Sequence, residues 1–229
     1  MAHLRVDDTA IMRAESASVV AILRESPLPQ AIGAIVEDAH IHSDWLTDGA
    51  KTLIPPGLIA CAQGCFFCCH LRVVTTIPEV LWIAANFRSR YDAAAVRSLL
   101  ERVDVYVDAV AGRSVAERRS CRLPCPLLVD GLCSVYEVRP LSCRGWNSLE
   151  VSRCEADFHE PSQGTRAPVY EPQRQVGAYM QAGMSDGLQA AGLQHDRIEL
   201  VEGLKIAIQV ADAALRWLHG ERLFVAAVF

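Results

Sequence analysis

Cys61, Cys65, Cys68 and Cys69 fall in one short run, CAQGCFFCCH, spaced Cys61-x3-Cys65-x2-Cys68-Cys69 and followed at once by His70. Metal–sulfur bonds of about 2.3 Å require side chains that converge, and this spacing brings two or three thiolates around one centre within a single loop. Adjacent residues point in different directions in most backbone conformations. Cys68 and Cys69 therefore serve two centres, or one ligates while the other packs. A second run, CRLPCPLLVDGLCSVYEVRPLSCRGWNSLEVSRC, carries Cys121, Cys125, Cys133, Cys143 and Cys154, with gaps of three, seven, nine and ten residues. Those gaps alone identify no site. With the first run they describe a many-thiolate centre, for zinc or for iron, an iron–sulfur cluster included. All nine cysteines lie between residues 61 and 154, whereas cysteines that merely pack as small hydrophobes would be scattered.

The same residues carry a resemblance. Cys65-Phe66-Phe67-Cys68-Cys69, then Cys125-Pro126-Leu127-Leu128, then Cys133-Ser134-Val135-Tyr136-Glu137 with Arg139-Pro140, and finally Cys143-Arg144, resemble in order the CxxCC, CPFL, C-x-I-Y-E-x-R-P and CR motifs of the YkgJ-type cysteine-cluster proteins. That family is described as zinc- or iron-chelating. The resemblance covers residues 61–146 and leaves residues 1–55 and 170–229 unaddressed. Phe67 and Leu127 depart from it where relatives often have a small residue and a phenylalanine. Cys154 resembles a late cysteine of many members, while Cys121 has no place on the pattern. The expected ligand set is Cys61, Cys65, Cys68, Cys69, Cys125, Cys133, Cys143 and Cys154. A branch of the family resembles flagellin lysine N-methylase, which would imply methyl transfer to protein lysines. No G-x-G-x-x-G turn follows a predicted strand here, and Gly177, Gly183 and Gly187 fall on a predicted helix.

Composition narrows the classes. Hydrophobic residues make up 51% of the chain and charged residues 21%, too apolar for a disordered tail. The longest apolar stretch, 198–218, is interrupted by Glu199, Glu202, Lys205, Gln209, Asp212 and Arg216. A membrane span needs about 20 mostly apolar residues, so none is expected. The N-terminal run MAHLRVDDTA has no basic patch leading into an apolar segment, so no secretory signal is expected, and a cytoplasmic location follows. Reducing pools there keep thiols free, favouring metal ligation over disulfides. The net charge of −5 argues against nucleic acid as a partner. Locally, Arg113, Arg118, Arg119, Arg122, Arg139, Arg144 and Arg153 face only Glu117, Asp130, Glu137 and Glu150, a basic stretch suited to an acidic protein partner.

Helices must position these thiols. Apolar spacing predicts helices over 9–25, with Thr9 as N-cap, and over 29–46, stopping near Gly49. Thr76-Ile77-Pro78-Glu79 joins a capping box to an early proline and predicts a helix over 77–90. Asp92 starts another that ends at Gly112. Between 120 and 165, prolines and glycines break the pattern into short segments that need a staple, and a bound ion would supply one. Helices resume over 171–191 and 197–218, and the tail LFVAAVF reads as a short strand or packed arm. The expected fold is mainly α: a single domain over 1–229 whose irregular cysteine-rich centre, 57–160, is flanked by N-terminal (9–50) and C-terminal (170–219) helices.

Other polar residues are weaker candidates. His70 could complete a thiolate site or serve as a hydrogen-bonding neighbour. His159 is weaker still, and His40 and His42 read as surface or helix-end residues. Arg139 and Arg144 would offset thiolate charge or pair with Glu137 or Glu150. Tyr136 and Trp146 would cover the site, and Pro140 would fix a turn. No Ser/His/Asp set stands out. Three roles remain open: a metal-binding protein, a metal-dependent enzyme such as a protein lysine methyltransferase, and a metal carrier or scaffold.

Overall fold

In the computed structural model, which describes residues 7–161 and 167–228, the apolar periodicity becomes helices close to where it predicts them. Helix α1 spans Asp8–Glu25 and is capped by the Asp7 carboxylate, which accepts from the Ala10 amide at 3.0 Å. Thr9 thus lies inside the first turn. Helix α2, Gln30–Lys51, continues through Gly49. Burial of Thr47 and Ala50 outweighs the roughly 1 kcal/mol that glycine costs a helix. Helices α3 (Ile77–Arg90) and α4 (Ala93–Val110) begin at Thr76 and Asp92 as expected. After the short α5 (Val115–Ser120), α6 (Leu141–Gly145) and α7 (Val151–His159) comes the long α8, Glu171–Ala190.

The predicted last helix is two, α9 (Leu200–Gln209) and α10 (Ala213–Leu218). The chain turns at Asp212, in the left-handed conformation with φ of 52°. That turn lets Trp217 enter the core, fully buried, with its indole N–H donating to the Gln194 carbonyl at 3.0 Å. The C-terminal residues form a packed arm. Phe224 is buried, and Val228 bridges Ile198; Phe229 lies outside the described residues, as do residues 1–6 of the N-terminal run and 162–166 of the irregular stretch. Besides that bridge, extended structure among the described residues is two antiparallel pairs, β1 (Val74–Thr75) with β4 (Ile198–Glu199) and β2 (Leu128–Val129) with β3 (Leu132–Cys133).

The core gathers Val19 of α1, Ile32 and Ile35 of α2, Ile77 to Phe87 of α3, Leu99 and Val103 of α4, Met180 to Leu188 of α8 and Leu200 to Ile208 of α9. Leu127, Val135 and Leu141 from the cysteine region join it. Two close approaches set α8 in place. A Cβ at Gly183 would lie 2.5 Å from the Met12 carbonyl oxygen of α1, and one at Gly177 would lie 2.6 Å from the Leu141 carbonyl oxygen of α6. Alanine normally stabilises a helix interior relative to glycine by about 1 kcal/mol. Gly49→Ala, with nothing within 4 Å of the added methyl, should show that gain in denaturant unfolding. Gly177→Ala should instead lose about 1–3 kcal/mol, because the obstacle is backbone and cannot rotate away.

Candidate metal centre

Backbone hydrogen bonds stitch the two cysteine runs together. The Cys125 amide donates to the Cys69 carbonyl at 2.8 Å, and the Ala60 amide to the Ser148 carbonyl at 2.8 Å. Cys65 to Cys69 lie on a tight turn, with the Cys65 amide on the Ala62 carbonyl and the Cys69 amide on that of Phe66; it runs into a 3-10 turn at Phe67–His70. Cys133 sits on the β2–β3 hairpin, which Asp130 and Gly131 close at φ of 50° and 76°. Two left-handed residues in succession suit the twist of a two-residue hairpin turn, and Asp-Gly is a preferred pair for it. Arg102 of α4 donates to the Pro126 carbonyl at 2.9 Å and ties this loop to the core. Cys143 rides on α6 and Cys154 on α7, which packs on the 67–70 turn.

Two polar anchors escaped the sequence reading. Glu79 is fully buried. Its Oε1 accepts from the Leu141 amide at 2.6 Å, at the start of α6, and its Oε2 accepts from Thr75 Oγ1, the Thr76 amide, Thr76 Oγ1 and Gln181 Nε2. Asn147 and Ser148 are buried too. Asn147 Nδ2 donates to the Gly145 and Tyr170 carbonyls while its Oδ1 accepts from the Tyr170 amide. The Ser148 amide donates to Cys61 Sγ at 3.1 Å. An Asp-Gly pair is a sequence signal for the hairpin. Nothing local marks Asn147 or the second role of Glu79.

Backbone amides face several sulfurs. Cys65 receives the Phe67 N–H, Cys125 that of Leu127 and Cys133 that of Val135, each favouring thiolate. Burial opposes them and wins. It pushes the Cys61 thiol up to about 11 and the Cys125 thiol up to about 12, and raises Cys65, Cys133 and Cys143. Cys68 is raised first by its hydrogen bond with Cys69, then by burial. As thiolates the sulfurs would disfavour one another's charge in two overlapping sets, Cys61 and Cys65 with Cys154 and Cys68, and Cys125, Cys133 and Cys143 with Cys68. Cys121 stands apart. Its sulfur accepts from Arg113 Nη1 and bonds the Glu117 carbonyl at 3.3 Å. None of the nine is in a disulfide.

Tetrahedral thiolate coordination places sulfurs about 3.8 Å apart, given metal–sulfur bonds of about 2.3 Å. Among the described residues no three cysteine sulfurs lie within 4.8 Å of one another. The sulfurs must therefore draw together for any four-thiolate binding. The fold that carries these cysteines is mainly helical.

The remaining candidates find structural places. His70 Nδ1 meets the Phe66 carbonyl at 3.2 Å and its ring packs on Phe158 at 4.7 Å, in an aromatic group with Phe66 and Phe67. His159 also stacks beside Phe158. His42 is on the surface of α2, but His40 is buried at 7% exposure, contrary to its reading as a surface residue. Arg139 lies 3.8 Å over the Tyr136 ring, and its charge lowers Cys68 and Cys133. Arg144 instead makes a forked contact to Asp44 and donates to the Glu137 carbonyl. Glu137 and Glu150 pair with Arg90 and Arg153. Arg118 pairs with Glu202 and Arg122 with Asp157. Acids from elsewhere in the chain thus neutralise much of the basic stretch. No helix among the described residues is long and apolar enough to cross a membrane.

In comparisons with known proteins, no family model, no curated protein and no solved structure matches the chain.

Proposed function

We propose that the chain binds zinc or iron through cysteine thiolates of the 61–70 loop, the 125–143 segment and α7. The observation that carries this reading is the placement of the cysteines: the Cys125 amide bonds the Cys69 carbonyl, the Ser148 amide meets Cys61 Sγ, α7 with Cys154 packs on the 67–70 turn, and the one cysteine without a place on the motif pattern, Cys121, is held elsewhere by Arg113. Amides aimed at Cys61, Cys65, Cys125 and Cys133, with Arg139 nearby, are the groups that stabilise sulfur ligands and tune what they hold. Two sets sharing Cys68 suit two adjacent ions or one cluster.

Anaerobic purification followed by metal analysis and a visible spectrum tests this. A brown protein with sulfide-bridged iron, or a colourless one with stoichiometric zinc, is the expected result. A protein with neither overturns the reading. Because burial keeps these thiols protonated at neutral pH, uptake must release protons. Titration of metal-stripped protein in weak buffer should acidify it, and affinity should fall as pH is lowered. Cys61 is the most exposed residue of the eight, although its sulfur is partly covered where it meets the Ser148 amide, and that exposure favours delivery of the ion to another protein over purely structural use. Rapid transfer from the unaltered protein to a competing chelator would separate a carrier from a closed structural site, and Cys61→Ser, which removes one ligand, should speed that transfer further.

A further inference from the structure

We propose that Glu15, Asp38 and His42 form a separate oxygen- and nitrogen-donor site for a divalent transition cation, between α1 and α2. One ligand atom from each of the three lies within 4.8 Å of the other two. Asp38 and His42 are one turn apart on α2, with His42 Nδ1 3.4 Å from Asp38 Oδ2. Glu15 reaches them from α1. Ser18, also on α1, donates to Asp38 Oδ2 at 2.6 Å and orients that carboxylate.

Glu15 distinguishes this set from an ordinary surface group of acids. It is 2% exposed, and its Oε2 is buried with no hydrogen-bond partner. A buried carboxylate without a donor is strongly unfavourable unless it is neutralised or paired. It cannot retreat, because α8 closes behind it where a Cβ on Gly183 would come within 2.8 Å of Glu15 Cβ. Burial first, then the charges of Asp38 and Glu79, push its carboxyl up to about 8. A cation would relieve all three effects together, whereas a proton relieves them only for Glu15. Asp38 and His42 are partly open to solvent, which gives an ion an entry path and leaves positions for water.

Two carboxylates and one imidazole suit Mn2+, Fe2+ or Zn2+, in contrast to the thiolates. Ligand bonds of about 2.0–2.2 Å require the three donors to draw together slightly, within reach of side-chain rotation. Nothing here depends on the cysteines, so the two centres are separable by experiment.

The probe is Mn2+, which thiolates bind poorly, followed by loss of its free-ion electron paramagnetic resonance signal on addition of the full-length protein. One saturable Mn2+ per chain is expected, displaced by Zn2+. His42→Ala, an exposed substitution that leaves the core untouched, should weaken it about tenfold or more, and Glu15→Gln or Asp38→Asn should remove it. Cys125→Ser should leave it unchanged. Absence of saturable Mn2+, or equal binding by His42→Ala, would overturn the site and leave Glu15 as a protonated buried acid.

Discussion

Protein carrying Cys125→Ser and Cys143→Ser together should lose its tightly bound metal and become protease-sensitive between about residues 113 and 161, while most of its helical signal persists. The reason lies in how little else holds that stretch. Its strands are two residues each, α6 is a single turn, and α7 buries no residue fully. Apart from Leu127, Val135 and Leu141 it contributes little to the core. Structural thiolate sites supply about 10–16 kcal/mol, comparable to the whole net stability of a domain at about 5–15 kcal/mol. The core of α1, α3, α4, α8 and α9 has its own buried cluster and should stay folded. Cys121→Ser, outside the sulfur group, is the control and should keep both metal and protection. If the double variant keeps stoichiometric metal and resists cleavage, neither residue is a ligand and the proposed centre is wrong.

What could be read from residue order alone was mostly local. Asp92 as a cap and Thr76 with Glu79 as a box act within one helical turn and lie where expected, and α4 ends at Val110, two residues before the expected Gly112. The first cysteine run, Cys61 to Cys69, is likewise local and falls on one loop, whereas the longer gaps of the second run identify no site by themselves. The misses are long-range. The break at Asp212 makes sense only with Trp217 packed beneath Gln194. His40 and Glu15 look like surface polar residues on amphipathic helices, and their burial becomes visible only when α8 lies across Glu15 and the 139–144 segment comes up beside His40. The basic stretch seemed suited to a partner because its acids, Asp44, Asp157 and Glu202, are distant in sequence. Glu79 is the sharpest case: one oxygen performs the local task the motif announced, and the other reaches 62 residues ahead to Leu141.

That double duty makes Glu79 the substitution with the largest expected effect outside the cysteines. Glu79→Ala would leave the Leu141 and Thr76 amides, two hydroxyls and the Gln181 amide group without their acceptor in a site that excludes water. Unmet buried donors cost about 1–3 kcal/mol each when nothing rearranges, and removing one partner of a buried charged network costs about 3–5 kcal/mol. Relaxation of the two hydroxyls brings the expectation to the second figure. Glu79→Gln should fall between, because one amide oxygen can serve either Leu141 or the Thr76 side, while its NH2 must then face other donors. The consequence should also reach the metal centre. Leu141 starts α6, Cys143 is two residues on, and Gly177 lets that helix rest against α8, so freeing the Leu141 amide frees the thiol. Denaturant unfolding and metal competition on the same variant should therefore fall together. A loss of stability with unchanged metal affinity would show that α6 is held by Gly177 and the core alone, and a change below about 1 kcal/mol would show that the buried donors find other partners.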